Sequence, residues 1–434
     1  MSAPLLIVLA PVGAVVFILG LRAPLSVLLP AYAALVPFGS GIVVPVGLPP
    51  PFNTLTTVLG MAVTLATGVN LLTSRSRGVR LPPAVYVWML FVGVASLTMG
   101  WSLKPSATLT GVLILVSLIS LYAVTSLMPV SARDLFWLEH GIILGGLATG
   151  AYALYLVLGP GLTTTRIGLP RFATAGGVGS DVDPNITAAA LLLPLAVAVG
   201  KAIQRSSMLE RLGYGFSGAV IMAAITLTGS RGGMLATLIV LGVLIVNGRG
   251  RVAALSSGLL IVVIAVGTFS QAPEALKERI VSVDAQGSGR VSIWMVGLQS
   301  CSNYCWAGAG YGAFPEVYKR NLAEVLEASS RPGSYRAHNM WLGALIETGY
   351  LGVLLMTIAL AFVVRDVLRM PREVRGPPLA GMAGVLASNM FLSNLGFKYF
   401  WLVITYATLA PLALGRPQVS VPLFPTLAVS EGAR

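Results

Sequence analysis

The sequence predicts an all-α fold: a polytopic membrane helical bundle of 12 or 13 transmembrane helices, with one long loop that carries amphipathic helices of its own. Three observations carry this expectation. The chain of 434 residues is 56% hydrophobic and only 10% charged, where an ordinary soluble domain is about a quarter charged. Apolar runs of crossing length, about 17 to 25 residues each, recur from the first residues to Leu414. They are continuously apolar, whereas barrel strands alternate, and a helix satisfies its own backbone groups inside lipid.

In chain order the candidate spans are 4–20, 24–38, 54–72, 83–97, 107–127, 141–158, 185–200, 214–227, 233–246, 252–269, 338–364, 379–395 and 399–414. The first two are short, and if 4–38 crosses only once the count is 12 rather than 13. "MSAPLLIVLAPVG" lacks the basic start of a cleavable signal, so the first segment is expected to stay. Basic residues set the orientation. Arg75, Arg77 and Arg80; Arg133; Lys201, Arg205 and Arg211; Arg249 and Arg251; Arg365, Arg369, Arg372 and Arg375 fall on alternate loops, which the positive-inside rule makes cytoplasmic. Segments 39–53, 101–106, 159–184, 229–232 and 270–337 then face outward. The expected organisation is 1–269 for the first ten helices, 270–337 for the long outward loop, 338–414 for the C-terminal spans and 415–434 for a cytoplasmic tail. Within the loop, "GRVSIWMVGLQS" and "AFPEVYKRNLAEVLEAS" space their apolar residues as surface helices do. The stretch "AGAGYGAF" between them reads as a turn and does not match a dinucleotide fingerprint.

A net charge of +13 would suggest nucleic acid in a soluble chain. Here the basic residues lie in loops between spans, where they set orientation and meet anionic lipid, so nucleic acid is discarded as a partner. Cys301 and Cys305 are too few for a structural zinc site. They are free thiols or, in an oxidising compartment, a short disulfide. There is no P-loop lysine, no pair of histidines at metal spacing and no convincing Ser-His-Asp set, and no metal or cofactor is expected. His140 in "FWLEHG" reads as an interfacial anchor. A lipid or solute transporter would carry ionisable groups near mid-membrane and two related halves, and the sequence offers neither.

The outward side, by contrast, collects arginines. Arg231 in "TLTGSRGGMLA" occupies a tight turn between two spans, with Ser230 able to cap the following helix. A charge so near hydrocarbon is costly and marks function unless it merely snorkels. Arg290 opens an amphipathic helix, where the helix dipole disfavours a cation unless an anion compensates. Arg166 and Arg171, in "TTTRIGLPRFATAGGVGSDVDPN", are either at the same anion or ordinary loop charges. Arginine's planar fork suits phosphate, and several converging arginines imply a polyanion. At a membrane's outer surface the natural one is the diphosphate of a lipid-linked sugar.

His338, between Arg336 and the Asn339 that follows it, stands where a polar stretch turns into an apolar helix. A helix beginning there puts Trp341, Leu342, Leu345, Gly349 and Gly352 on the histidine's side and aims the imidazole at the bundle's mouth. Its free N–H groups would favour an anion. Nearby arginines should keep His338 neutral and able to accept a proton as a general base; a capping or interfacial histidine is the alternative. Glu347, the only acid inside a candidate span, reads as a helix-packing contact.

"HNMWLGALIETGYLG" resembles the HNxxL...ExGxxG signature of the O-antigen ligase and polymerase superfamily, bacterial membrane glycosyltransferases of the metal-independent, lipid-donor type. "DPNITAAALLLPLAV", "LTGSRGGMLA" and "GRVSIWMVGLQSCSNYCWAGAGYGAF" fit in the same order, so the likeness covers 171–356. The resemblance implies a GT-C-like bundle in the inner membrane, with its active site facing the periplasm beneath the long loop. It further implies inverting transfer of a glycan from undecaprenyl diphosphate to lipid A-core oligosaccharide in lipopolysaccharide biosynthesis, with a repeat-unit polymerase as the alternative. Carried onto this chain, His338 matches the family's essential histidine, and Arg231 and Arg290 its essential arginines. Arg166, Arg171, Arg336 and Asn339 are then expected around the diphosphate, and the Cys301 and Cys305 pair departs from the usual pattern.

Overall fold

The computed structural model describes residues 20, 22–39, 42–44, 52–73, 81–159, 161–162, 170–175, 182–248, 263, 265–281, 289–325, 335–393 and 395–414. Among these the protein is all-α and multi-pass, with no strand beyond isolated bridges such as Val43 with Thr54. The first half of the bundle comprises α1 (Pro24–Phe38), α2 (Leu55–Thr73), α3 (Pro83–Leu97), α4 (Pro105–Leu127) and α5 (Ala132–Leu158). It continues with α6 (Pro184–Gln204), α7 (Met208–Leu227) and α8 (Arg231–Asn247). The long loop holds α9 (Glu274–Val281), α10 (Arg290–Gln299), α11 (Cys301–Tyr304) and α12 (Phe314–Val325). Three helices follow, α13 (Met340–Leu368), α14 (Arg372–Ser388) and α15 (Lys398–Leu414). Among the described residues, 6 helices are long and apolar enough to cross a membrane, and α1, α8 and α15 are shorter apolar helices.

Local chemistry sets the helix starts. Proline stands in the first turn of α3, α4 and α6, where its missing N–H costs nothing. A capping box between Ser131 and Asp134 opens α5, and Asp183, Ser230 and Asn339 cap α6, α8 and α13. Helix α6 is the axis of the bundle. Its apolar window is 89% buried in protein, against 28 to 50% for the other long helices, which agrees with a sequence apolar on every side. On α5, side chains at Gly141 and Gly145 would lie 2.4 Å from the carbonyl oxygens of Pro30 and Ala34, so α1 and α5 cross backbone to backbone.

Every candidate span coincides with a helix except 4–20 and 252–269, which fall outside the described residues apart from Gly20, Val263 and 265–269. Two boundaries differ from the sequence reading. Helix α5 begins at Ala132, nine residues before the expected 141, so Glu139 lies inside it. That carboxylate is 4% exposed, pairs with Lys201 of α6 and accepts the Tyr406 hydroxyl at 3.0 Å, so Glu347 is not the only acid within a span. Its neighbour His140 is fixed too, with Nδ1 2.7 Å from the Phe136 carbonyl and Nε2 accepting the Tyr214 hydroxyl at 3.0 Å. The second difference is at 379–395. Helix α14 stops at Ser388, and the apolar residues that follow leave the helix to form part of the mouth.

The segments expected to face outward meet at one end of the bundle. The Leu103 N–H donates to Ala309, the Phe172 N–H to Leu227, the Thr174 hydroxyl to Pro37, and Lys398 to Thr54. At the other end Arg375 of α14 donates to Asn247 of α8 at 2.8 Å. The alternation read from the basic loops thus agrees with the packing of the described residues.

Candidate functional site

The mouth is built around the entry to α13. Helix α13 begins at Met340, not at His338, because Asn339 is its cap: Asn339 Oδ1 accepts from the N–H groups of Trp341 and Leu342 at 3.0 and 3.1 Å. The Met340 N–H donates to Asn389. The first-turn donors expected to attract an anion are therefore occupied by protein. His338 lies just before the helix with φ 47, the only non-glycine in the left-handed region among the described residues. That backbone costs energy in a residue with a side chain. It also means that counting faces at helical spacing from His338 does not apply: the imidazole's direction is set by the turn.

A second break lies two turns into α13. Gly349 has φ 72, outside helical geometry, and a side chain there would meet the Trp306 carbonyl oxygen at 2.4 Å. The break frees the carbonyls of Ile346 and Glu347, which accept from Ala309 and Gly310, while the Tyr350 N–H donates to Cys305. The glycine-rich stretch between α10 and α12 is thus threaded into α13, and the Cys301–Cys305 disulfide closes the hairpin that enters. Trp101 of the 101–106 turn donates to the carbonyls of the same stretch.

Charge gathers at His338 from three elements. Burial is the chief cause that holds its imidazole down, to about 4; Arg290 of α10 adds to it and Arg336 follows, while Asp183, the cap of α6, partly opposes them. Arg290 lies over the ring of Phe391, 5.7 Å from its centroid, and Trp294 stacks on the same ring while donating to the Ala337 carbonyl at 3.0 Å. Gly232, beside Arg231, abuts Phe391 as well, 3.3 Å from the position of an added Cβ. Phe391 therefore joins the start of α8, the start of α10 and the entry to α13.

The remaining expected residues fall in different situations. Arg171 is 3% exposed; its Nε donates to the Thr228 carbonyl at 2.7 Å and Nη2 to Asn185 Oδ1 at 3.5 Å, so it braces the turn that leads to Arg231. Arg166 lies outside the described residues. Arg336 is exposed and lines a cavity of 430 Å³ between α4, α13, the 311–315 turn and the 393–397 segment. Glu347 lines it too. More than a packing contact, its carboxylate accepts the Phe314 N–H at 3.3 Å and also the Gly312 N–H.

Several residues here were not singled out from sequence. Asp183 sat in plain view in "DVDPN", where an acid before proline signals a cap and gives no hint of a histidine 155 residues on. Phe391 was absorbed into an apolar run. Lys398 carried a signal, a single cation at the head of "KYFWLV"; it donates to Thr54 and Thr56 at 2.8 and 2.6 Å. Among the described residues no group of three or more His, Cys, Asp or Glu is arranged to hold a metal ion.

Comparison with known proteins bears on the same region. No curated protein matches the chain. A family model described as O-antigen ligase matches residues 216–357, the stretch from α7 through the mouth loop to the middle of α13 that holds Arg231, Arg290, Arg336 and His338. That match assigns this part of the chain to the O-antigen ligase and polymerase superfamily.

Proposed function

We propose that the protein is an O-antigen ligase, which transfers a glycan from undecaprenyl diphosphate to lipid A-core oligosaccharide at the periplasmic face of the bacterial inner membrane. One observation supports it above the rest: Arg290, Arg336 and Asp183, from separate elements, act together on His338 within the stretch that matches the family. Arginines converging from separate elements suit a leaving diphosphate, whose growing charge they neutralise without loss of their own.

The depressed imidazole has a role in this scheme. A base near 4 is weak, and two things weaken it, burial and the guanidinium field. A bound diphosphate offsets the field, so His338 gains proton affinity as the donor arrives. It then takes the proton of the acceptor hydroxyl while that oxygen attacks the anomeric carbon. The bond from that carbon to the diphosphate oxygen breaks, its electron pair leaves with the diphosphate, and the configuration inverts. Arg231 and Arg290 hold the departing charge, Arg336 and Arg166 add to the field, and Arg171 acts through the turn it braces. Asn339, whose Oδ1 caps α13, retains its amide nitrogen for the substrate. The arginines supply the positive charge, so the scheme calls for no metal.

The test is complementation of a ligase-deficient strain with His338→Ala, Arg231→Ala and Arg290→Ala, read as lipopolysaccharide ladders on a gel. Bare core is the expected result. Core bearing single repeats would point to a repeat-unit polymerase instead, and a normal ladder would overturn the assignment.

A further inference from the structure

The cavity beside the His338 cluster has a chemistry of its own. None of His338, Arg290 or Asp183 lines it, yet Ala337 does, one residue before the histidine, and Arg336 both lines it and acts on His338. Its charged groups are one guanidinium and one carboxylate, Arg336 and Glu347. A carboxylate in the wall disfavours a diphosphate, so this is the wrong place for the leaving group. Backbone donors hold Glu347 Oε1, which fixes the carboxylate's orientation. The Ser393 hydroxyl, also in the wall, is buried and has no hydrogen-bond partner. Buried hydroxyls are ordinarily satisfied, so this one awaits a partner from outside the chain. The rings of Tyr311 and Phe397 and the hydroxyl-bearing Thr110 complete the surround. Fixed acceptors and donors beside aromatic faces match a neutral polyhydroxylated ring, and a volume of 430 Å³ falls within the usual range for ligand sites, about 300 to 1,000 Å³.

We propose that this cavity seats a sugar ring of one of the two glycan substrates, with Glu347 accepting from its hydroxyls and Arg336 and Ser393 donating to them. The proposal rests on the transfer reading above and adds where the reacting sugar is held.

Full-length protein in proteoliposomes, supplied with undecaprenyl-diphosphate-linked glycan and purified core lipid, tests it through Glu347→Gln and Thr110→Phe. The first removes a charged acceptor; the second fills the cavity from α4 and decides the matter should Glu347→Gln fail to fold. Each is expected to raise one substrate's KM about tenfold or more with kcat nearly unchanged, the loss usual for hydrogen bonds to a charged group. A rise in the acceptor's KM assigns the ring to the acceptor; a rise in the donor's KM, with inhibition by sugar-free undecaprenyl diphosphate unchanged, assigns it to the donor. Unchanged KM values for both substrates in the folded variants, or a fall in kcat alone, would overturn the proposal. The transfer reading fails separately, if His338→Ala and Arg290→Ala retain full turnover.

Discussion

Exchanging Arg290 for glutamine removes one positive charge from the field around His338 while keeping a polar side chain of similar reach. The structure holds that imidazole at about 4, and the distance from the reference of about 6.5 is worth about 3 kcal/mol against the protonated form. Burial is the largest cause and survives the exchange, as does Arg336. A single nearby guanidinium at a partly solvated site contributes on the order of 1 kcal/mol, or about tenfold in proton affinity. The midpoint should therefore climb toward about 5 without reaching 6.5. The assay is the pH dependence of ethoxyformylation by diethylpyrocarbonate, which attacks the neutral imidazole. With two histidines in the chain, a His140→Gln background purified through a histidine-free tag leaves His338 as the sole target. A parent midpoint near 6.5 would refute the buried, arginine-flanked imidazole, and identical midpoints with and without Arg290 would refute its share in the field.

Three further outcomes are expected. Arg231→Ala and Arg290→Ala should each reduce glycan transfer about 100-fold or more, at least as much as His338→Ala, since stabilising the leaving charge is usually the largest catalytic contribution; single-turnover rates that rank the histidine well above both arginines would contradict this. Gly349→Ala forces a side chain to within 2.4 Å of the Trp306 carbonyl at φ 72, so detergent-solubilised protein should melt several degrees lower, and an unchanged Tm would show that the hairpin does not lock into the break. The Tm should also fall as pH drops from about 6.5 to about 4, by the equivalent of up to about 3 kcal/mol, because the unfolded chain takes up the His338 proton before the folded one does. Below that window the effect levels off, and His338→Gln should flatten that part of the profile.

The bundle was legible because hydrocarbon allows few alternatives: a run of apolar residues must be helical, and loop arginines then orient it. What escaped were departures from the helix inside apolar runs. "MFLSNLGF" has the composition of a span, yet it leaves the helix at Asn389, whose carbonyl accepts the Met340 N–H and whose buried amide reaches the Met340 sulfur. Hydropathy reports whether a residue tolerates burial, and Phe391 does so equally well as lipid-facing helix or as the wall between two arginines. The break at Gly349 is hidden for a related reason. A glycine in a membrane helix is ordinary, and only the carbonyls it exposes, matched by Ala309 and Gly310 some forty residues earlier, make it a joint.

For the site, the sequence disclosed which residue types were out of place but not how they were turned. A cation at a helix start (Arg290) and a charge in a tight turn (Arg231) each violate a local preference, and violations of that kind are readable one residue at a time. Pair relations are not. Asp183 opposes the arginines at His338 from the cap of α6, and nothing in an acid before a proline announces that partner. Asn339 shows the converse: an amide beside a histidine suggested a ligand contact, and its oxygen instead closes the helix that follows. By ending the helix one residue after His338, that cap leaves the imidazole on left-handed backbone, free of the helical face that periodicity assigned to it. The feature the proposed chemistry depends on most, a base turned out of the helix into a positive field, is thus fixed by a capping bond that sequence pattern read as something else.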